Sequence, residues 1–214
     1  VPLLARGGGS SQCGQTVGES VVLDYSKHQN KILELNVEEK YVWVQPGVVL
    51  DHLNAYLKPH GLWFPVDVST SSRATIGGMS ANNSCGSRSL YYGNMVHNVL
   101  AIEAILDDGS IFNFDQINKN YLATKNNQDR LYKIIDKFID VRQKVGSEID
   151  ANWPTTQRRV GGYNIDLIDP EGFNSSNLLV GSEGTLSLFN KIKLKPVSYT
   201  HLRAHETEAD LECR

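Results

Sequence analysis

Arg6–Thr16 reads RGGGSSQCGQT, and the segment after it, Val21-Val22-Leu23-Asp24-Tyr25, alternates as a strand does. With so little side-chain bulk, the N–H groups of Gly7, Gly8 and Gly9 can turn inward as a nest for pyrophosphate oxygens, and Ser10 and Ser11 add hydroxyl donors. Main-chain dipoles hold an anion without a basic patch, which suits a chain whose formal charge is -3. Two other phosphate patterns fail on the letters. From Gly9 the spacing matches a P-loop until Gln15, which stands where the phosphate-reaching lysine is required. A dinucleotide fingerprint begun at Gly7 needs glycine where Gln12 sits, and a following helix where a strand is read. The plain alternative is a glycine loop with no ligand.

Outward from this loop, Ile32-Leu33-Glu34-Leu35 and Tyr41-Val42-Trp43-Val44 read as two more strands. Leu50, Leu53, Tyr56 and Leu57 then recur at helical spacing, and Pro59 with Gly61 ends that helix; a long loop runs from Trp63 to about Thr75. Leu100 to Leu106 and Ser110 to Phe114 flank the turn signal Asp108-Gly109 as a hairpin. Leu131, Ile134, Ile135, Phe138, Ile139 and Val145 predict a helix within residues 128–146, ending near Gly146. Gly184 to Leu194 reads as a closing strand. Strands and helices without a strict βαβ repeat imply an α+β fold rather than a doubly wound sheet.

Two further small-residue segments accompany the first. One contains Pro65, Asp67 and then Arg73–Gly86, RATIGGMSANNSCG, in which Thr75 suits a helix cap, Gly77, Gly78, Ala81 and Gly86 permit close approach, and Asn82 and Asn83 offer amides. The other is Gly181-Ser182-Glu183-Gly184-Thr185, running into Leu186. Any one of the three alone is equally well a plain turn; together they can converge on one extended ligand.

Acidic and basic residues are interspersed, so no footprint for a nucleic-acid backbone is present. No apolar run approaches the roughly 18 residues needed to cross a bilayer. Cys13, Cys85 and Cys213 are too scattered for a disulfide framework or a metal set, which points to a cytoplasmic setting, with peripheral attachment to the inner membrane also compatible. Tyr199–Arg214, YTHLRAHETEADLECR, matches neither period and is expected to be a non-native tail; His201 and His205 within it are not taken as metal ligands.

The elements RGGGSSQCGQT, the stretch from Gly61 to Ser110, RRVGGYNIDLI (158–168) and LLVGSEGTLSLFNKIKLKP (178–196) together resemble the FAD-binding domain of the vanillyl-alcohol oxidase and p-cresol methylhydroxylase family, in the branch of the D-lactate and D-2-hydroxyglutarate dehydrogenases. The resemblance covers nearly all of residues 1–197. It implies a domain over 1–198 made of two α/β subdomains, about 1–47 and 48–198, truncated at both ends, with the substrate half missing. It implies FAD contacts at Arg6, Gly7, Gly8, Gly9, Ser10, Ser11, Cys13, Gly14 and Gln15 in the first loop. Further contacts are implied at Pro65, Asp67, Thr75, Gly77, Gly78, Ala81, Asn82, Asn83, Gly86 and Gly93 in the second, and at Gly181, Gly184 and Leu186 in the third. Some relatives attach the flavin to a histidine in the first loop; Ser10 stands there, so non-covalent FAD is expected. The implied reaction is hydride transfer from a 2-hydroxy acid to FAD, with an unidentified quinone, cytochrome or flavoprotein as acceptor. Alternatives on the same fold are an alcohol or aldonolactone oxidase, or a non-catalytic FAD-binding fragment. No catalytic residue and no metal ligand is assigned in this chain. Arg158 and Arg159 suit contact with the flavin or a substrate carboxylate, though a solvated basic pair before a turn is the plainer reading.

Overall fold

The computed structural model describes residues 1–118, 121, 129–156 and 158–199. The expected non-native tail lies outside the described residues except for Tyr199. The chain begins with β1 (Leu3–Arg6), which pairs in parallel with β2 (Val21–Asp24), Leu3 opposite Val21 and Arg6 opposite Asp24. The first glycine loop is therefore a crossover between two parallel strands. β1 was not foreseen because Leu3-Leu4-Ala5 shows no alternation of apolar and polar residues. Next come β3 (Ile32–Asn36), β4 (Tyr41–Val44), helix α1 (Leu50–Leu57) and β5 (Leu62–Trp63). Three short helices follow, α2 (Ile76–Ala81), α3 (Ser89–Tyr92) and α4 (Met95–Asn98). The remainder is β6 (Val99–Ile105), β7 (Ile111–Phe114), β8 (Gln116–Asn118), helix α5 (Arg130–Asn152), β9 (Gly172–Asn174), β10 (Leu188–Leu194) and β11 (Val197–Ser198).

The central sheet has the order β3-β4-β10-β6-β7 and is antiparallel throughout. β10, from near the end of the described chain, lies between β4 and β6, so the sheet cannot close until distant segments meet. The two-part division expected near residue 47 does not coincide with the edge of this sheet, since β3 and β4 belong to it and only β1 and β2 stand apart. Two smaller ladders, β5 with β11 and β8 with β9, tie loops to its rim.

In β6, Val99, Ala101, Ile102 and Ala104 are all buried, so side chains of both parities are covered. Leu50, Leu53 and Leu57 of α1, Ile76 and Met79 of α2, and Leu131, Ile135 and Ile139 of α5 join the same core as Val42, Val44, Ile192 and Leu194. Each such aliphatic side chain contributes about 1.5–3 kcal/mol by burial. α1 ends as its sequence implies, in a 3-10 turn at Lys58–His60 closed by Gly61 at φ 68°. The hairpin turn is also as read, with Gly109 at φ 82° and Ser110 N–H donating to Asp108 Oδ1 at 2.9 Å.

α5 corrects one boundary. It does not stop near Gly146 but continues to Asn152, burying Ile149, and it ends where Trp153 becomes extended ahead of Pro154. A lone glycine costs about 1 kcal/mol in a helix and does not end it, whereas the residue before proline is pushed out of helical geometry. The closing strand likewise begins later than expected, at Leu188, leaving Gly184–Ser187 in loop.

Candidate cofactor site

The three small-residue segments meet around one cavity of about 1030 Å³. That places it at the upper end of the roughly 300–1,000 Å³ usual for ligand pockets. Gly8, Gly78 and Gly184, one from each segment, all line it. The juxtaposition is made by α2. Thr75 caps the helix, its Oγ1 accepting from Gly78 N–H at 3.4 Å. The first loop docks at this end: a Cβ on Gly7 would overlap Thr75 Oγ1, and one on Gly8 would overlap the Arg73 carbonyl. At the other end of α2, Gly181 N–H donates to the Ser80 carbonyl at 3.0 Å and Glu183 N–H to the Ala81 carbonyl at 2.9 Å. The third loop is thus fastened where the helix stops, and Gln15 Nε2 reaches Glu183 Oε2 at 3.5 Å from the first loop.

Of the residues singled out in the sequence, the cavity wall contains Arg6, Gly7, Gly8, Gly9, Ser10, Ser11, Cys13 and Gln15, then Asp67, Thr75, Gly77, Gly78, Ala81, Asn82 and Gly86, and Gly184. Six others stand off the wall. Gly14 belongs to the turn in which its carbonyl accepts from Val17 N–H at 3.3 Å. Pro65 is buried between Phe64 and Val66 of the core. Gly93, at φ 75°, ends α3 against the His97 ring. Gly181, at φ 85°, packs on the Gly162 carbonyl and on Asn83. Leu186 packs against the core.

Asn83 is the sixth, and its amide is spent on structure. It is 1% exposed, its Oδ1 accepts from Val96 N–H at 3.0 Å, and its Nδ2 donates to Asn164 Oδ1 at 3.5 Å. Asn164 in turn donates to the Val180 carbonyl at 2.7 Å. The pair binds α2, α4 and the third loop together behind the cavity. Asn82 is instead exposed on the wall, with its Nδ2 turned to Ser84 Oγ at 3.1 Å.

Several wall residues carried no signal of their own. Tyr25 and Pro46 follow the ends of β2 and β4, and Pro46 packs so closely on Gly77 that a Cβ there would lie 2.5 Å from its own. Burial raises the Tyr25 phenol above its ordinary value of 10.0, so it stands there as a protonated donor. Ser187 and Phe189 come from the entry to β10 and its first turnings. Their position depends on where β10 inserts into the sheet, which no local pattern reveals.

The wall suits a large anionic dinucleotide. Among the described residues, the N–H groups of Gly7–Gln12 have no hydrogen-bond acceptor, six successive donors on one loop. Gln15 Oε1 and Ser187 Oγ are buried at the cavity without a partner. The charged wall side chains balance: Arg6 and Arg158 against Asp67 and Glu183. Recognition by main-chain donors therefore does not depend on an excess of cations. No cluster of three or more metal-ligating side chains occurs among the described residues, and no helix among them is long and apolar enough to cross a membrane.

Known proteins agree with this geometry. A D-2-hydroxyglutarate dehydrogenase from Haemophilus influenzae is 37% identical over 199 residues, covering 88% of this chain and 19% of that protein. A D-lactate dehydrogenase from Archaeoglobus fulgidus is 30% identical over 197 residues, covering 91% of this chain and 33% of that protein. The chain spans about a fifth of the length of the D-2-hydroxyglutarate dehydrogenases it matches. A solved structure of an alkyldihydroxyacetonephosphate synthase superposes with a TM-score of 0.59 at 19% identity, covering 92% of this chain and 29% of that one. That likeness establishes the α+β fold of the p-cresol methylhydroxylase type. The FAD binding domain family matches residues 1–115, more than half of the chain and two of the three converging loops, and this chain belongs to that family.

Proposed function

We propose that this chain is the FAD-binding portion of a flavin-dependent dehydrogenase that oxidises a D-2-hydroxy acid of the D-2-hydroxyglutarate or D-lactate type. The convergence of Gly8, Gly78 and Gly184 on one cavity carries the reading. Similarity to dehydrogenases of both names, over most of this chain, supports the substrate class. FAD, when bound, supplies the acceptor for the hydride leaving the hydroxyl-bearing carbon.

The chain's own part is to bind and orient. The free N–H run of Gly7–Gln12 takes the pyrophosphate, with Arg6 beside it and the Ser10 and Ser11 hydroxyls as further donors. Thr75, Gly77, Gly78, Ala81, Asn82 and Gly86 form the opposite wall, and Gly184 closes the far end. Asp67 orders the turn after α2, accepting from Ser87 Oγ at 2.6 Å and from Arg88 N–H at 3.1 Å. Met79 and Phe189 supply apolar cover that keeps water from the ligand. Binding is non-covalent, because Ser10 carries no nucleophilic nitrogen for the flavin. No group of this chain is assigned the abstraction of the hydroxyl proton, and the enzyme works in the cytoplasm or at the inner membrane surface.

The test is direct. The purified chain mixed with FAD should give a resolved flavin spectrum, and acid precipitation should leave all the flavin in the supernatant. The complete polypeptide carrying this segment should reduce a dye acceptor with D-2-hydroxyglutarate or D-lactate. Folded protein that fails to retain FAD, or flavin that neither acid reduces, would overturn the corresponding half of the proposal.

A further inference from the structure

Four ionised side chains line the cavity among the described residues, and three have local company. Arg6 lies beside Gly9, where a Cβ would stand 2.8 Å from its guanidinium, at the pyrophosphate loop. Asp67 is satisfied by Ser87 and Arg88, and Glu183 faces Gln15. Among the described residues, Arg158 has a single hydrogen bond, Nη1 to the Gly86 carbonyl at 3.1 Å, and no carboxylate pairs with it.

Its neighbour shows the contrast. Arg159 donates to Asp166 at 2.6 Å, lies over the Trp153 ring at 5.1 Å, and is 18% exposed. Arg158 and Val160 line the cavity while Arg159, between them, lines a separate, smaller one. Gly86 is a firm anchor. Its N–H donates to Ser89 Oγ at 3.0 Å, and its Cα is pressed so closely on the Asp67 backbone that no side chain fits. The guanidinium of Arg158 is exposed and planar, and with Nη1 on the Gly86 carbonyl its other N–H donors are left for a carboxylate.

Position separates this cation from the pyrophosphate loop. That loop docks at the start of α2, whereas Gly86 follows the end of the helix; six helical residues span about 9 Å. A 2-hydroxy acid carries its carboxylate on the very carbon that releases the hydride. A cation holding the carboxylate therefore also aims the C–H bond. Resting on the dehydrogenase reading above, we infer that Arg158 is a substrate-positioning residue, its free guanidinium edge receiving the carboxylate of the 2-hydroxy acid.

The test uses the complete FAD-loaded polypeptide with Arg158→Gln and Arg158→Lys. Arg158→Gln should raise the KM for D-2-hydroxyglutarate or D-lactate about ten- to a hundredfold with a smaller change in kcat, while bound FAD per protein is unchanged. Arg158→Lys should recover part of the loss. The preference for D-lactate over D-lactamide, which lacks the charge, should collapse in Arg158→Gln. An unchanged KM, or loss of FAD in place of a KM effect, would overturn the inference, the latter making Arg158 a cofactor cation. If wild-type protein holds FAD but oxidises neither acid, the dehydrogenase reading fails by itself. Oxalate titrated against the flavin absorption band then decides Arg158: at least tenfold weaker binding in Arg158→Gln sustains a carboxylate site, and equal binding removes it. A wild-type protein that holds no flavin removes both.

Discussion

At the scale of the residue, the glycines of the first loop serve two ends. Their missing side chains leave N–H groups open on the cavity, and they also allow the loop to touch the segment before α2. Gly8 is the sharpest case, because a Cβ would overlap a backbone carbonyl, that of Arg73, which has little room to move. Gly8→Ala is expected to lower stability by about 1–3 kcal/mol through overpacking. It should also weaken FAD binding at least tenfold, as read by quenching of flavin fluorescence, with the urea midpoint reporting the stability part. Asn83 carries the opposite lesson. An amide beside a glycine pair looks like a ligand contact, but burial and two bonds to Val96 and Asn164 show that it holds the frame. Burial is a property of the surroundings, so adjacent Asn82 and Asn83 look alike in one dimension and differ in three.

At the scale of the element, short helices are decided by their ends. α4 opens with Asn94, whose N–H donates to His97 Nδ1 at 3.0 Å, a bond that only the neutral imidazole can accept. Desolvation, with the nearby charge of Arg159, lowers His97 below its ordinary value of 6.5. For a base with a lowered folded pKa, the unfolded chain takes up protons first. The stability His97 contributes is therefore complete above 6.5 and is lost as pH falls from there through the lower folded value. His97→Gln keeps an acceptor and removes the titration. The difference in urea midpoint between wild type and His97→Gln should change between about pH 7.5 and about pH 5, wild type losing more. A parallel course for the two proteins would contradict this. α3 and α4, at four residues each, were invisible in the letters because no period can establish itself over one turn.

At the scale of the whole molecule, the cavity exists only when β10 has inserted between β4 and β6, since that insertion brings Gly184 and Ser187 to the loops near the start of the chain. Ligand binding and global folding should therefore be coupled. At FAD a hundredfold above its Kd, stabilisation is about 2.7 kcal/mol, or about 5–10 °C in the thermal midpoint for a chain of this size. A midpoint that does not rise with FAD concentration would mean that FAD does not bind the folded chain in preference to the unfolded one. What the letters settled alone was local: alternation marked β2, β3, β4 and the β6–β7 hairpin, helical spacing marked α1 and α5, and the glycine segments named most of the cavity wall. Each depends on chemistry within a few residues. Tertiary structure alone decided that Asn83, Gly93 and Gly181 turn inward to packing, that Tyr25, Pro46 and Ser187 reach the ligand side, and that Arg158 faces the cavity while Arg159 is paired away from it. Those outcomes depend on which chain-distant surfaces meet, and burial and electrostatic partners are set by that meeting rather than by sequence neighbours.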